Sequence, residues 1–369
     1  MSSTTAYLDY NATAPLRPEA RAAMLEALTE PGNASSVHGP GRRARRLVEQ
    51  AREQVAALAG CDPRWVIFTS GGTEANNLAL KGLGSGPRLV SAGEHDSVLQ
   101  AAPEAVRLAL RRDGQIDLAA LEAALSGCPE GTVVSVMLAN NETGAIQPMA
   151  AVVERARAAG ALVHCDAVQG GGKLALDMAA LGVDCMTLSS HKFGGPPGTG
   201  ALLCRDGLPL APLIAGGGQE GRRRAGTENL PGIAGFGAAA EAAQRDLPEM
   251  ASLAGLRDRL EAGARAIAPD VKVFGSESER LANTTCLAVA GMAAETQIMA
   301  LDLAGVAVSA GAACSSGKVQ PSHVLTAMGA SAAEAASAIR VSLGWQSRAE
   351  DVDRFLAAWG DLYRRSQAA

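Results

Sequence analysis

Aromatic side chains are scarce in this sequence, 3% of 369 residues, whereas alanine is abundant and glycine occurs 42 times. Tight backbone approaches and helices packed through small side chains are therefore expected. Charge of one sign is lacking too: 33 Lys and Arg stand against 38 Asp and Glu, a formal net charge of -5. That balance gives nucleic acid no electrostatic footing, and none is expected as a partner. No apolar run reaches the length needed to span a bilayer, and Met1-Ser2-Ser3-Thr4-Thr5 has neither the basic nor the apolar region of a signal peptide. No membrane association is expected, and the expected location is cytoplasmic. The seven cysteines are scattered, odd in number and free of C-x-x-C spacing, so neither a disulfide framework nor a zinc site is indicated. A required catalytic metal is not expected either. Six of the cysteines read as small buried apolar residues; Cys314 is taken up below. There are no internal repeats and no low-complexity linkers.

What is present is a long alternation of strand and helix patterns. The length favours one large and one smaller domain. Residues 17–28 have helical composition, and Asn33-Ala34-Ser35-Ser36-Val37-His38-Gly39-Pro40-Gly41 reads as a loop. Ala44, Leu47, Val48, Ala51, Val55, Leu58 and Ala59 then form one apolar helical stripe that Gly60 ends. Strand Trp65-Val66-Ile67-Phe68-Thr69 runs into Ser70-Gly71-Gly72-Thr73, a glycine turn opening a helix and a seat for an anion. Further strands are Arg88-Leu89-Val90-Ser91, followed by His95; residues 132–138, followed by Asn141; and residues 161–166, ending at Asp166. Residues 230–266 read as helix and bridge to a second domain with strands near 284–290, 306–308 and 339–343. A capping box, Ser347-Arg348-Ala349-Glu350, announces the last helix.

One stretch anchors the chemistry. After the apolar run Asp184-Cys185-Met186-Thr187-Leu188 comes Ser189-Ser190-His191-Lys192-Phe193-Gly194-Gly195-Pro196-Pro197-Gly198. Lys192 thus stands at a strand end beside a tight turn, where desolvation favours the neutral amine and Schiff-base chemistry. By itself a lysine there is most simply a surface residue. Its company changes that. Thr73, His95, Asn141, Asp166 and Lys192 all follow the carboxyl ends of successive strands, which share one crevice in a doubly wound parallel sheet. Pyridoxal 5'-phosphate needs such a set: a lysine for its aldehyde, an anion for its ring nitrogen, a flat group over the ring and a phosphate cradle. Lys192, Asp166, His95 and the group Gly72, Thr73, Ser189 and His191 match those needs in turn.

The chain resembles the cysteine desulfurases of the NifS/IscS type, within the class V aminotransferase-like family. The resemblance runs from Tyr7-Leu8-Asp9 to Ile339-Arg340-Val341-Ser342-Leu343-Gly344. Its most specific pieces are Phe68-Thr69-Ser70-Gly71-Gly72-Thr73-Glu74-Ala75-Asn76-Asn77, Asn140-Asn141-Glu142-Thr143-Gly144, His164-Cys165-Asp166-Ala167-Val168-Gln169, Ser190-His191-Lys192 and Gly216-Gly217-Gly218-Gln219-Glu220. It implies a fold-type I pyridoxal phosphate enzyme: a large α/β domain over residues 15–246 with a mostly parallel doubly wound sheet, and a small α+β domain over 1–14 and 247–369. It further implies that Lys192 forms the Schiff base, Asp166 binds the pyridine nitrogen, and Gln169 and Asn141 reach the ring hydroxyl, with Asn141 also near the substrate. Gly72, Thr73, Ser189 and His191 would bind phosphate, and Thr227 would reach the neighbouring subunit's phosphate in an obligate homodimer. Arg340 would grip the substrate carboxylate, a task that suits a planar guanidinium. Ala14, where relatives often carry a second threonine, and the order Gly221-Arg222-Arg223-Arg224 depart from the family pattern.

The activity turns on Cys314. Ser309-Ala310-Gly311-Ala312-Ala313-Cys314-Ser315-Ser316-Gly317-Lys318 contains no large apolar residue to bury it. The resemblance implies a nucleophilic thiolate that takes sulfur from L-cysteine, leaving L-alanine and a Cys314 persulfide. The sulfur would pass to an acceptor such as an iron–sulfur scaffold protein. The segments Gln219-Glu220 and Thr227-Glu228-Asn229-Leu230 look closer to the nitrogenase-associated branch. Rival readings are a selenocysteine lyase or a cysteine sulfinate-type enzyme, in which Cys314 would be dispensable, a plain aminotransferase, and a non-catalytic assembly partner. The joint presence of Lys192, Asp166, His95, Cys314 and Arg340 argues against the last.

Overall fold

The computed structural model describes residues 5–310 and 321–367. After a short strand β1 (Ala6–Tyr7), the helices α1 (Pro18–Leu28) and α2 (Gly39–Ala59) lead into the central sheet. Its strands are β2 (Val66–Thr69), β3 (Arg88–Ser91), β4 (Val106–Leu108), β5 (Val133–Met137), β6 (Leu162–Asp166), β7 (Cys185–Ser189) and β8 (Gly200–Cys204). They lie in the order β2-β8-β7-β6-β5-β3-β4. Only β8 runs against the others, pairing antiparallel with both β2 and β7. The sheet is α/β and mostly parallel, as the alternating patterns predict. Its strands β5 and β7 are buried at every position, the condition of a sheet covered by helices on both faces.

The apolar stripe of α2 (Ala44, Val48, Ala51 and Val55) is buried, and Gly60 ends the helix in the left-handed conformation at φ 62°. The helix Leu230–Arg245 packs on α1 and α2 through small residues. A Cβ on Gly237 would lie 2.6 Å from the Ala51 Cα, so the close approach foreseen from composition is real here. One core cluster draws its residues from the span 20–243. Another joins Ala6 and Leu8 to residues 250–359. In that second region β9 (Lys272–Phe274), β10 (Thr284–Ala288), β12 (Ser309–Ala310) and β13 (Ile339–Ser342) form an antiparallel sheet, while β11 (Val306–Ala307) pairs parallel with β1.

Local expectations shift in four places. Gly39-Pro40-Gly41 is already helical, because Pro suits the first turn and His38 Nδ1 caps the helix by accepting from Gly41 N at 3.2 Å. The helical span after residue 230 divides into Leu230–Arg245 and Leu247–Ile267, with Asp246 between them and Pro248 in the first turn of the second. The last helix is Ala349–Gln367, and at its entry Gly344 N donates to Ser347 Oγ while Arg348 N donates to Asp351 Oδ2. Cys165, Cys185, Cys204 and Cys286 are buried, but Cys61 and Cys128 are half-buried.

Candidate active site

Because β2, β3, β5, β6 and β7 point the same way, their carboxyl ends meet at one rim. A cavity of about 590 Å³ opens there. Lys192, Asp166, His95, Asn141 and Gln169 line it, together with Arg340 from β13. The four residues expected at a phosphate, Gly72, Thr73, Ser189 and His191, line the same space. Thr227 is exposed and lies outside this lining. Cys314 falls outside the described residues. Of the described residues flanking its segment, Ser309 and Ala310 line the cavity, and His323 Nε2 lies 3.0 Å from the carbonyl oxygen of Glu94, the residue before His95.

Lys192 follows β7 in a one-turn helix, Ser190–Lys192. Its Nζ donates to the carbonyls of Asn11 at 2.8 Å and Ala12 at 3.0 Å. Burial, with the nearby Arg340 cation second, pulls its pKa from 10.5 down to about 8 against the opposing pull of Asp166 and Asp9. The amine therefore supplies a usable neutral fraction near neutral pH. Asp166, 5% exposed, accepts from Val168 N at 3.0 Å through one carboxylate oxygen and from Asn76 Nδ2 at 2.7 Å through the other.

His95 caps the short helix α4 (Asp96–Leu99), which follows α3 (Gly72–Gly82) in the chain. Its Nδ1 accepts from Ser97 N at 3.1 Å and lies 2.9 Å from Ser97 Oγ. A backbone N–H can only donate, so the neutral ring carries its proton on Nε2. Burial lowers the His95 pKa, with Asp166 opposing. His191 is likewise held neutral, its pKa lowered to about 4 by burial and the neighbouring Lys192.

At the other side of the cavity Arg340 Nη2 donates to Asp9 Oδ1 at 2.8 Å and Nη1 to the Asn141 carbonyl at 3.2 Å. Its Nε is buried with no hydrogen-bond partner among the described residues. That is an unspent donor on a cation beside the cavity. Elsewhere in the lining, α3 begins at Gly72, where an added Cβ would stand 3.0 Å from Val168 Cγ2 and 3.3 Å from Ser189 Cβ. Glycine keeps the helix N-terminus open to an anion. Arg224 is spent elsewhere, on Glu74, at 2.8 Å.

Several residues that shape the site do not announce themselves in the sequence. Asn76 Nδ2 donates both to Asp166 and, at 2.8 Å, to Ser97 Oγ, so one amide links the aspartate to the histidine's cap. Asn11, in the turn that follows β1, gives its carbonyl to Lys192 and Gln169 and its side chain to Asn141, Thr284, Lys173 and Asn283. Lys173 is buried outright. Glu220, within the Gly216–Glu220 motif, holds Arg52 through two bonds of 2.8 and 2.9 Å and accepts from Phe68 N at 3.0 Å.

Fold and site together define an α/β protein with a lysine-centred cleft at the ends of a parallel sheet. The sequence profile of the aminotransferase class-V family matches residues 6–355. The chain belongs to that family. It is similar to a cysteine desulfurase of Cereibacter sphaeroides, with 45% identity over 95% of this chain and 93% of that protein. It is similar also to an IscS-like cysteine desulfurase of Mycobacterium tuberculosis, with 41% identity over 99% and 98%. Among solved structures, a NifS-like protein from Rickettsia africae ESF-5 superposes with a TM-score of 0.91 at 34% identity, covering 98% of this chain and 99% of that one. Among the described residues no helix is long and apolar enough to cross a membrane.

Proposed function

We propose that this chain is a pyridoxal 5'-phosphate-dependent cysteine desulfurase that converts L-cysteine to L-alanine and carries the sulfur away on Cys314. The observation that carries the reading is Lys192: a desolvated amine at a strand end, in one cavity with Asp166, His95 and Arg340. The residues present suit the cofactor. A carboxylate with both oxygens oriented, an amine poised near neutrality and a glycine-opened helix N-terminus answer its ring nitrogen, aldehyde and phosphate. When bound, the cofactor supplies an electron sink for the carbanion character that develops on the substrate.

The chain's own residues do the rest. Asp166 would hold negative charge for the ring nitrogen, and Gly72, Thr73, Ser189 and His191 would hold the phosphate. Gln169 and Asn141 would serve the ring oxygen, Asn141 also serving the substrate. Arg340 binds the substrate carboxylate, to which its free Nε adds a donor. Lys192 Nζ and His95 Nε2 give and take protons at the substrate. The Cys314 thiolate attacks the substrate sulfur, the carbon–sulfur bond breaks, and the electron pair left on carbon takes a proton. Alanine leaves, and Cys314 keeps a persulfide for a sulfur acceptor, an iron–sulfur scaffold protein.

A homodimer with Thr227 acting across the interface belongs to the proposal. In support, Thr227 is exposed away from its own cavity, and Val37, Leu213 and Ile214 expose apolar surface. The division into domains of residues 15–246 and of 1–14 with 247–369 agrees with the composition of the two core clusters. The test is to reconstitute the protein with pyridoxal 5'-phosphate, reduce with borohydride and map the adduct. A modified Lys192 is expected. An adduct on another lysine, or none, would overturn the assignment.

A further inference from the structure

Lys173 is a lysine with no carboxylate to answer it. It is 9% exposed, and its Nζ donates to Asn11 Oδ1 at 2.8 Å and to Gln169 Oε1. Both acceptors are neutral amide oxygens. Burial, Lys192 and Arg340 all push its pKa well below the ordinary lysine value. A neutral amine has two hydrogens, matching the two acceptors, and leaves no unpaired charge inside the protein.

The consequence falls on Gln169. The two ends of its amide have opposite hydrogen-bonding character, and nothing in its shape chooses between them. Two neighbours choose: the Asn11 carbonyl can only accept and takes Nε2, while Lys173, with its two amine hydrogens directed at Asn11 Oδ1 and Gln169 Oε1, holds the oxygen end. That nitrogen donates one hydrogen to the Asn11 carbonyl at 3.0 Å. The Asn11 carbonyl also receives Lys192 Nζ at 2.8 Å, and Gln169 itself lines the cavity. Lys173 fixes Asn11 in the same way. It holds Asn11 Oδ1 together with Asn283 Nδ2 at 3.2 Å, leaving Asn11 Nδ2 for the Asn141 carbonyl and Thr284 Oγ1.

We propose that Lys173 is a positioning residue that locks the Gln169 amide with its N–H donor, rather than its oxygen, presented to the cavity, and that anchors the Asn11 carbonyl on which Lys192 rests. The inference rests on the proposed function only in taking the cavity's ligand to be pyridoxal 5'-phosphate, whose ring oxygen would receive that donor. Removing the donor leaves the ring oxygen free to hold the Schiff-base proton more tightly, so the imine titrates at higher pH.

The test titrates the visible absorbance of the reconstituted protein and measures cofactor dissociation for wild type, Lys173→Met, Gln169→Leu and the double variant. Lys173→Met and Gln169→Leu are each expected to raise the imine titration by about one pH unit, the worth of an ordinary hydrogen bond. Both should weaken cofactor binding, and the imine titration of the double variant should match that of Gln169→Leu alone, because Lys173 reaches the ring oxygen only through Gln169. A general loss of packing would not produce that non-additivity. Lys173→Gln keeps an N–H near the same point and should stay close to the wild-type titration; it carries the test if the methionine variant does not fold. A shift in Gln169→Leu with none in Lys173→Met, a shift in Lys173→Gln as large as that of Gln169→Leu, or additive shifts in the double variant would each overturn the inference. Failure of the wild type to take up the cofactor would instead overturn the functional reading.

Discussion

Replacing Lys192 by methionine should stabilise the cofactor-free protein while it removes the Schiff-base amine. The folded protein holds this amine at about 8 against an ordinary 10.5. The difference of 2.5 pH units corresponds to about 3 kcal/mol by which folding disfavours the charged form at pH 7. Methionine fills similar volume without charge. It also forfeits the two bonds to the Asn11 and Ala12 carbonyls, a loss of about 2 kcal/mol at about 1 kcal/mol each. The net gain at pH 7 is about 1 kcal/mol. Its pH dependence has a fixed sign. Between 8 and 10.5 the unfolded chain binds more protons at this lysine than the folded one, so wild-type stability rises with pH across that window. The advantage of the variant is therefore full below pH 8 and fades as pH approaches 10.5. Urea unfolding of both cofactor-free proteins, at one protein concentration and at pH 7 and pH 10, measures it. A variant less stable than wild type at pH 7, or a difference unchanged between the two pH values, would refute the claim that Lys192 is held desolvated.

Other predictions concern the two ends of the site and its frame. Arg340→Lys keeps the charge but loses the planar fork and the Nε donor, so KM for L-cysteine should rise roughly 10- to 100-fold with a smaller change in kcat; steady-state kinetics decide, and an unchanged KM would remove Arg340 from the substrate carboxylate. Glu220→Gln leaves Arg52, whose side chain is 12% exposed, with the more exposed Glu49 at 3.1 Å as its remaining carboxylate and should cost about 2 kcal/mol in urea unfolding. A loss under 1 kcal/mol would show that Glu49 and water compensate Arg52.

The large-scale plan was legible because parallel strands buried on both faces write themselves as unbroken apolar runs, and because the residues after their carboxyl ends must converge. Thus Thr73, His95, Asn141, Asp166 and Lys192, each at or just past a strand's carboxyl end in the sequence, line one cavity. The antiparallel β8 was not legible, since an apolar run carries no direction. Nor was the support behind the site. Asn76 lies 21 residues from Ser97 and 90 from Asp166, and Lys173 is 162 from Asn11; such links appear only once the chain has folded. Burial without a counter-charge, which gives Lys173 its meaning, has no local sequence signature. Glu220 shows the opposite limit. Its motif was visible, but its work is to pin Arg52 and the edge strand β2 rather than to touch the cavity.

The most direct test of the account compares wild type with Cys314→Ala, each reconstituted with pyridoxal 5'-phosphate and incubated with L-cysteine without reductant. Alanine and protein-bound sulfane sulfur are assayed together. The account predicts both products from the wild type and neither from the variant, which should still hold the cofactor on Lys192. Free formation of alanine by Cys314→Ala would contradict the account and turn attention to a lyase acting on selenocysteine.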